Sequence, residues 1–445
     1  MEIKRIFLNK KMIILFIVVL LINAGWYLNE ERQTWDLDHI TTQKAARYQK
    51  KYLKRVEKLS PQEAYAFLEK QSNAITDDIT LHSEQSQSQD AQFYQKFGEL
   101  DIVDQLMNQM SHLGGYQDYL EGIRQQAGVM STISIFKKEG SFANKNIAKT
   151  VQNYKSLEGI SLERGTNQPI VGTLFDPMLR LLNIIFIFAI VLSFIEERKC
   201  GLWEKVHTTA EGRGKLAVRR GLILLVSTFM VQIITLFERL VISSYLYGDP
   251  DFGRKIQSIP EFKDFVFPMS ITSYLIFYWI LCSLAGFCLG LFLWLVLSIF
   301  LNRVLSFALI CIVEVVEWVA YAYIPVQSWV GFLKYFNLYY LINPTQQLAA
   351  YSNISFFGQP VERLQILLVS LALLSSLFFV LAVRVNQRKK PVQIPNHLER
   401  IVGRVINTIG NKIRKVLAKL SISATEWYKI FGPQKGWLIL LVTIL

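Results

Sequence analysis

Cysteine and histidine are scarce in this chain of 445 residues, which has only four copies of the first and five of the second. No cysteine falls within residues 30–176, the longest polar stretch, so a disulfide framework is excluded there. No spacing of cysteine and histidine matches a metal site, and we predict neither a metal nor another cofactor. No catalytic constellation stands out either, so the chain is not expected to be an enzyme.

A phosphate-binding loop of the Walker type is also missing. Such a loop needs Gly-x-x-x-x-Gly-Lys followed by Ser or Thr. The stretch Gly212-Arg213-Gly214-Lys215 lacks both the first glycine and the hydroxyl residue. We therefore do not expect this chain to bind ATP through a Walker-type loop.

Charged residues make up only 19% of the sequence, against 51% hydrophobic residues with 29 Phe and 9 Trp. A globular core of this size needs less apolar surface, so lipid is the expected solvent for part of the chain. The formal net charge is nevertheless +13, and residues 384–435 hold 12 Lys and Arg against two acids. This basic excess lies beside apolar runs, which favours anionic lipid headgroups over nucleic acid as its partner.

Six apolar runs are long enough to cross a bilayer. A cleavable signal peptide is the alternative interpretation of the first run, but no small-x-small cleavage site clearly follows it. We predict an all-α membrane protein with a six-helix transmembrane bundle. The predicted spans are residues 12–28, 178–195, 221–247, 269–301, 304–324 and 364–383.

The short loops give an orientation in the cell membrane. The loop at 196–220 carries seven Lys and Arg, whereas the loop at 249–264 is slightly acidic. Basic residues concentrate in short cytoplasmic loops, so 196–220, 302–303 and 384–435 are predicted inside the cell. The N-terminus is then cytoplasmic.

This orientation places residues 30–176 outside the cytoplasm, as a helical domain between the first two spans. Apolar residues recur there at helical spacing, as in Tyr48, Tyr52 and Val56. The stretch 83–90 reads as a linker, and Gly114-Gly115 as a helix stop. The predicted layout is 1–29, N-terminus and first span; 30–176, extracytoplasmic domain; 177–384, five spans; 385–435, basic cytoplasmic segment; 436–445, start of a further span.

The basic segment contains a predicted amphipathic helix over residues 397–420, begun by an Asn396 and Glu399 capping pair. One apolar stripe with basic residues on the other faces predicts a helix on the inner leaflet; packing on a partner protein is the alternative. Residues 436–445 are apolar but reach only about 15 Å as a helix, half a bilayer. Similarity between residues 2–11 and 426–435 indicates the start of a second copy of the module, and thus a fragment of a larger protein.

Charged residues inside the predicted spans are the strongest local indication of a functional or structural polar site in the membrane. Glu314 and Glu317 share one helical face, about 16 and 21 Å from the cytoplasmic end of their span. Glu238 and Arg239 lie at a similar depth in the third span. We predict that Arg239 pairs with Glu317 across the bundle, either as a structural ion pair or as part of a substrate-coupled site.

Small residues recur every four positions in the fourth span, at Cys282, Gly286 and Gly290. This spacing lets two helices approach closely. We therefore predict tight helix packing along this stripe rather than ligand contact.

The loop that follows the second span carries a resemblance to a known family. The span ends in two acidic residues, and a glycine follows a few residues later. A segment of small residues with a Gly-Arg pair comes next. The residues of this pattern are Glu196, Glu197, Gly201, Thr208, Thr209, Gly212 and Arg213. The chain resembles the permease subunits of bacterial type-2 ABC exporters over residues 1 to about 390, in its span layout and in the stretch Leu341-Ile342-Asn343-Pro344 before the last span. The basic helix and the partial seventh span depart from that pattern, so a tandem arrangement of two units stays open.

The resemblance implies that the chain is the membrane-spanning part of an exporter, with no enzymatic activity of its own. Residues 196–220 would then form a coupling helix for a separate ATP-binding-cassette subunit, and a second permease unit would complete the pathway. The alternative function is a membrane-anchored sensor or surface-interaction protein that acts through residues 30–176. Nothing in the spans selects the substrate.

Overall fold

The structure is a computed structural model of the chain. It describes residues 2–7, 9–37, 40–85, 91–133, 136, 138, 140–196, 202–209, 212–325, 331–342, 344–388, 397, 399–401, 404 and 408.

The described part of the chain is overwhelmingly helical. The helices are α1 Glu2–Phe7, α2 Lys10–Leu37, α3 Thr42–Val56, α4 Pro61–Gln85, α5 Ala91–Thr132, α6 Phe142–Tyr154, α7 Gln168–Leu174, α8 Pro177–Ile195, α9 Leu202–Thr208, α10 Gly214–Tyr247, α11 Ile271–Ile299, α12 Arg303–Tyr323, α13 Leu338–Leu341, α14 Pro344–Ala349 and α15 Arg363–Arg388. Short 3-10 turns lie at Lys155–Leu157, Ile256–Ser258, Pro260–Phe262 and Gly331–Tyr335. A two-stranded antiparallel hairpin is formed by β1 Asn353–Phe356 and β2 Gln359–Glu362.

Six of these helices, α2, α8, α10, α11, α12 and α15, are long and apolar enough to cross a membrane. The six predicted runs are therefore confirmed as helices, each within a few residues of its predicted bounds except where α2, α10 and α15 extend further. Backbone groups in lipid must be satisfied within the segment, so apolar length alone predicts a helix well. Six such helices are typical of a multi-pass membrane protein.

The helices form one bundle with two distinct ends. The described residues between 40 and 174 lie at the end where α8 begins, which we call the domain end. The opposite end, with α9 and residues 299–303, is the loop end. α11 is the central helix, because 78% of its most apolar window is buried, against 11% for α12 at the periphery. Apolar side chains such as Val226, Phe237 and Val316 are exposed on the outer helices, as is typical of a surface that faces lipid.

The predicted small-residue stripe packs tightly on α11, as expected. A methyl group on Gly286 would lie 2.8 Å from Cδ1 of Ile187, on α8. One on Gly290 would lie 3.0 Å from both Ile187 and Leu224, the latter on α10. Both glycines therefore stand where three spans meet, and Cys282 is buried on the same stripe.

The domain-end helices have a core of their own. Tyr52 and Val56 of α3 are buried against Leu68 of α4 and Val103 of α5, as the apolar spacing predicts. The predicted helix stop at Gly114-Gly115 is wrong, because α5 continues through both glycines to Thr132. Beyond the glycines, Tyr116 and Leu120 of α5 are buried with Tyr154 and Leu157, and this packing outweighs the low helix propensity of glycine. The predicted linker at 83–90 overlaps the last turn of α4, and its residues 86–90 lie outside the described residues.

These helices dock on two loops of the bundle through polar contacts. Tyr116 on α5 donates a hydrogen bond to the carbonyl oxygen of Lys263, and Tyr119 donates to the carboxylate of Asp264. On the far side, Lys149 of α6 donates to the carbonyl of Pro360 in the hairpin, at 2.9 Å. The helical domain is thus fixed to the bundle at both the 249–270 loop and the 350–362 loop.

His112 lies in this interface, where Nε2 approaches the carbonyl oxygen of Gln257 at 2.7 Å. The carbonyl can only accept, so Nε2 carries the proton. Burial lowers the pKa of His112 below its ordinary value; the bond to Gln257 opposes this, and the charge of Lys263 adds to the lowering. The folded protein therefore favours the neutral imidazole.

A histidine with a depressed pKa contributes stability that is present above its unfolded pKa and is lost as pH falls toward the folded value. We therefore expect the thermal unfolding midpoint of the protein to fall as pH is lowered below about 6.5. His112→Gln, which cannot take up a proton, should flatten this dependence in melting curves collected from pH 8 to pH 5. His397→Gln, at an exposed position, is the control; an equal flattening there would contradict the assignment.

The predicted amphipathic helix at 397–420 lies mostly outside the described residues. Those described, His397, Glu399, Arg400, Ile401, Arg404 and Thr408, are helical. The Glu399 carboxylate accepts hydrogen bonds from the backbone N–H groups of Leu301 and Asn302, the second at 2.8 Å. The basic segment is thereby tied to the turn between α11 and α12. Asn396, residues 409–420 and the predicted further span at 436–445 are outside the described residues.

Candidate functional site

The predicted coupling residues that the structure describes lie at the loop end, between α8 and α10. Glu196 is the exposed C-terminal cap of α8. Thr208 ends the short helix α9, and both Thr208 and Thr209 are exposed. Gly212 and Arg213 lead directly into α10. Glu197 and Gly201 lie outside the described residues.

The return from α9 to α10 is a tight turn whose geometry depends on Gly212. The Gly212 N–H donates to the carbonyl of Thr209 at 3.2 Å, and the Thr209 N–H donates to Val206 at 3.3 Å. A methyl group on Gly212 would overlap the carbonyl oxygen of Val206, which is backbone and cannot rotate away. Only glycine fits here without moving α9.

Arg213 fastens the end of α9 to the start of α10. Its Nε donates a hydrogen bond to the carbonyl of His207 at 2.7 Å, and His207 itself is buried. The arginine therefore satisfies one of the carbonyls left open at the end of a helix. These contacts give the loop a structural role. They hold a short helix, with exposed Glu204, Lys205 and Thr208, in a fixed position at the end of two spans.

The second group of predicted site residues sits within the bundle, and one predicted contact is wrong. Arg239 does not pair with Glu317; its Nη1 lies 2.5 Å from Oδ2 of Asp176. This is an ion pair by distance rather than an aligned hydrogen bond. Arg239 is fully buried, and its Nε donates to Oδ1 of Asn23 on α2 at 2.7 Å. The guanidinium also lies over the ring of Tyr27, 4.9 Å from the centroid.

Glu238 joins the same cluster through Asn23, which also binds its neighbour Arg239. The amide of Asn23 donates to Oε2 of Glu238 at 2.7 Å while its carbonyl oxygen accepts from Arg239. One asparagine thus bridges a carboxylate and a guanidinium. The cluster ties α2, α10 and the start of α8 together near the domain end, with Asp176 also capping α8 at the N–H of Met178.

Glu317 has a different role from the one predicted. Its Oε2 accepts hydrogen bonds from the backbone N–H groups of Leu338, at 2.7 Å, and Tyr339, at 3.3 Å. Those groups open α13, so the carboxylate complements the positive end of a helix. Glu314 lies one turn nearer the loop end, with Oε1 buried and without a hydrogen-bond partner among the described residues. The two glutamates are therefore not equivalent.

Glu317→Ala should loosen α13 while leaving the bundle intact. Loss of a capping acceptor costs about 0.5–2 kcal/mol, so we expect the amides of Leu338 and Tyr339 to exchange about twofold to thirtyfold faster. Hydrogen–deuterium exchange of the full chain measures this directly. Glu314→Ala is the matched control on the same face of α12 and should leave exchange at α13 unchanged.

Sequence reasoning missed the polar network that runs beside this cluster. Asn183 on α8 donates to Oε1 of Gln232 and to Oγ1 of Thr235, 3.1 Å away, both on α10. Uncharged polar residues within apolar runs were the available signal, since each must find a partner in lipid. Asp176 was signalled too, because Asp before Pro at the start of a helix is a capping pattern.

A polar cleft opens where the helical domain meets the bundle. It has a volume of about 330 Å³ and is lined by α3, α5, α7 and the domain ends of α2 and α10. Carboxamides dominate its polar lining, and Trp35, Ile102 and Leu106 are among its apolar residues. Trp35 is fixed there by a 2.6 Å bond from its indole N–H to the hydroxyl of Tyr247.

Among the described residues, no group of three or more His, Cys, Asp or Glu is placed to hold a metal ion. The fold defines a six-helix bundle of the multi-pass membrane class, with a helical domain at one end. No family model, curated protein or solved structure matches the chain.

Proposed function

We propose that this chain is the membrane-spanning permease subunit of an ATP-binding-cassette exporter. In this proposal the loop end faces the cytoplasm, the helical domain lies outside it, and the N-terminus is cytoplasmic in the cell membrane. A separate ATPase subunit supplies the energy, so the chain is not itself an enzyme. A second permease unit, as a dimer partner or a tandem repeat, completes the pathway.

The observation that supports this function is the fixed position of α9. The helix is short and carries exposed polar residues, and the turn through Gly212 and the Arg213 bond to His207 join it to the start of α10. A partner that pushes α9 would therefore move α10 with it. α10 in turn holds Arg239, and thus α2 and α8, through the buried cluster.

Co-purification tests the proposal. The tagged full chain, purified from its native membrane, should bring down an ATP-binding-cassette subunit, and the complex should hydrolyse ATP. Thr208→Arg with Thr209→Arg should abolish the association, because both positions are exposed on the proposed docking surface. The matched control is Thr132→Arg, at the end of α5 and far from the loop end. A chain that purifies alone, or association that survives the α9 changes, contradicts the proposal.

The cleft beside the helical domain favours a second candidate, a membrane-anchored sensor. Its volume lies within the range of small-molecule sites, and it sits at a domain junction where such sites concentrate. The carboxamides of Gln49, Gln105 and Asn108 would suit an uncharged ligand with amide or hydroxyl groups. Binding of such a ligand by a chain that has no ATPase partner would select the sensor over the exporter.

A further inference from the structure

A nearly apolar cavity lies between α2, α8 and α10, on the side of the bundle nearest the loop end. Its volume is about 360 Å³, and its walls include Met12, Phe16, Phe186 and Val231. The rings of Phe16 and Phe186 meet with centroids 5.4 Å apart and form the back wall. None of these residues belongs to the coupling loop or to the buried polar cluster.

The cavity is open to the side, where the bundle faces lipid. Ile13, Val226 and Met230 line it and are 42%, 59% and 54% exposed. Water has little to bind inside, because the one polar residue of the lining, Ser227, already donates its hydroxyl to the carbonyl of Ile223. The occupant must therefore be apolar and must come from the bilayer.

Depth places the cavity within one leaflet. α2 begins at Lys10, and Phe16 lies six residues further, about 9 Å along the helix. Half of a hydrocarbon core is about 15 Å, so the cavity lies within the leaflet at the loop end. A methylene group is close in size to a water molecule, which occupies about 30 Å³. The cavity of about 360 Å³ accordingly holds about twelve methylene groups, most of one acyl chain.

The charge at the mouth indicates which lipid. Lys10 and Lys11 are both exposed at the first turn of α2, within one turn of Met12 and Ile13 in the cavity wall. Lys4 is exposed on α1, whose last residue, Phe7, also lines the cavity. Lysines at the level of the headgroups attract anionic lipids.

We propose that this cavity is a site for one anionic phospholipid, with an acyl chain between α2 and α10 and the headgroup at Lys10 and Lys11. Phe7 and Met12 close the cavity from the headgroup side, and the flexible Met230 adapts to the chain. The lipid fills the space that separates the first span from α10 at this depth. This site does not depend on the proposed export function.

Native mass spectrometry of the full chain tests the site. Protein reconstituted in nanodiscs of three parts phosphatidylcholine to one part phosphatidylglycerol, then released into detergent, should retain one phosphatidylglycerol. Val226→Trp places an indole in the mouth and excludes about two methylenes, so retention should fall about tenfold. Val241→Trp, on the same helix at a similarly exposed position outside the cavity, should retain the lipid.

A second pair of variants tests the headgroup. Lys10→Gln with Lys11→Gln should remove the preference for phosphatidylglycerol over phosphatidylcholine, whereas Lys10→Arg with Lys11→Arg should keep it. Melting curves identify any variant that fails to fold, and Met230→Trp then replaces Val226→Trp. Equal lipid retention in the Val226 and Val241 variants, or no retained lipid in the unaltered chain, overturns the site; equal retention of both phospholipids by the unaltered chain overturns its anionic assignment.

Discussion

Arg239→Met should lower the stability of the protein by about 3–5 kcal/mol, the usual cost of removing one partner from a buried ion pair. The substitution leaves Asp176 buried without its counter-charge, and Asn23 loses the donor that its carbonyl oxygen accepts. The expected result is a large drop in the thermal unfolding midpoint in detergent. Methionine keeps the apolar stem of the side chain and removes the guanidinium, so the loss combines the missing charge with a smaller loss of packing.

A double variant separates the charge effect from packing. In Arg239→Met with Asp176→Asn neither buried charge is left alone, and the asparagine can still accept from the N–H of Met178 at the start of α8. Most of the lost stability should return. Arg384→Met, at an exposed position on α15, is the control and should change the midpoint little. A double variant as unstable as the single one would show that the ion pair is not the cause.

Gly212→Ala should disconnect α9 from α10. The added methyl group overlaps the Val206 carbonyl, so the turn can form only if α9 moves. Overpacking of this kind costs about 1–3 kcal/mol. We expect α9 to shift locally while the bundle stays folded. If α9 couples the chain to an ATPase, transport should fall by about tenfold or more.

Two measurements make this prediction specific. Limited proteolysis should cut the variant within 202–213 faster than the unaltered chain, while the unfolding midpoint stays nearly the same. Gly122→Ala is the matched control, since a methyl group there meets nothing within 4 Å and alanine favours the helix interior. Unchanged cleavage in Gly212→Ala would show that the turn tolerates a side chain; increased cleavage with normal transport would instead argue against coupling through α9.

The spans were predictable because a single requirement, the hydrogen bonding of the backbone in lipid, determines their structure. In a bilayer every backbone N–H and C=O must be bonded within the segment, so an apolar run of sufficient length forms a helix whatever its neighbours do. The stripe of Gly286 and Gly290 was readable for a similar reason, since close approach of helices needs small residues at fixed spacing.

The partner of Arg239 was not predictable, because it depends on the relative depth of three helices. Asp176 stands just before its span in the sequence, and only the packing of α8 on α10 brings it to the guanidinium. Glu317 was placed on the correct face of its helix, but its partner is the backbone of α13, and a backbone group leaves no mark in the sequence.

The hairpin was not predicted, although a glycine, Gly358, lies in its turn. Phe357 and Gly358 both have positive φ, at 49° and 76°, in the two-residue connection of β1 and β2. Phenylalanine is a poor residue for that conformation, which hid the turn. The helix through Gly114-Gly115 was missed for the opposite reason, since a strong local signal was outweighed by packing of Tyr116 and Leu120 on Tyr154 and Leu157.

The central position of α11 has a consequence for biogenesis. Most of this helix is covered by its neighbours, since 78% of its most apolar window is buried, yet it is among the most apolar spans of the chain. A segment inserts into the bilayer before its neighbours have assembled around it, so its composition must satisfy the insertion machinery first. We therefore expect some polar substitutions in α11 to be tolerated by the folded core but to block membrane insertion. Chains with such substitutions should never acquire the correct topology.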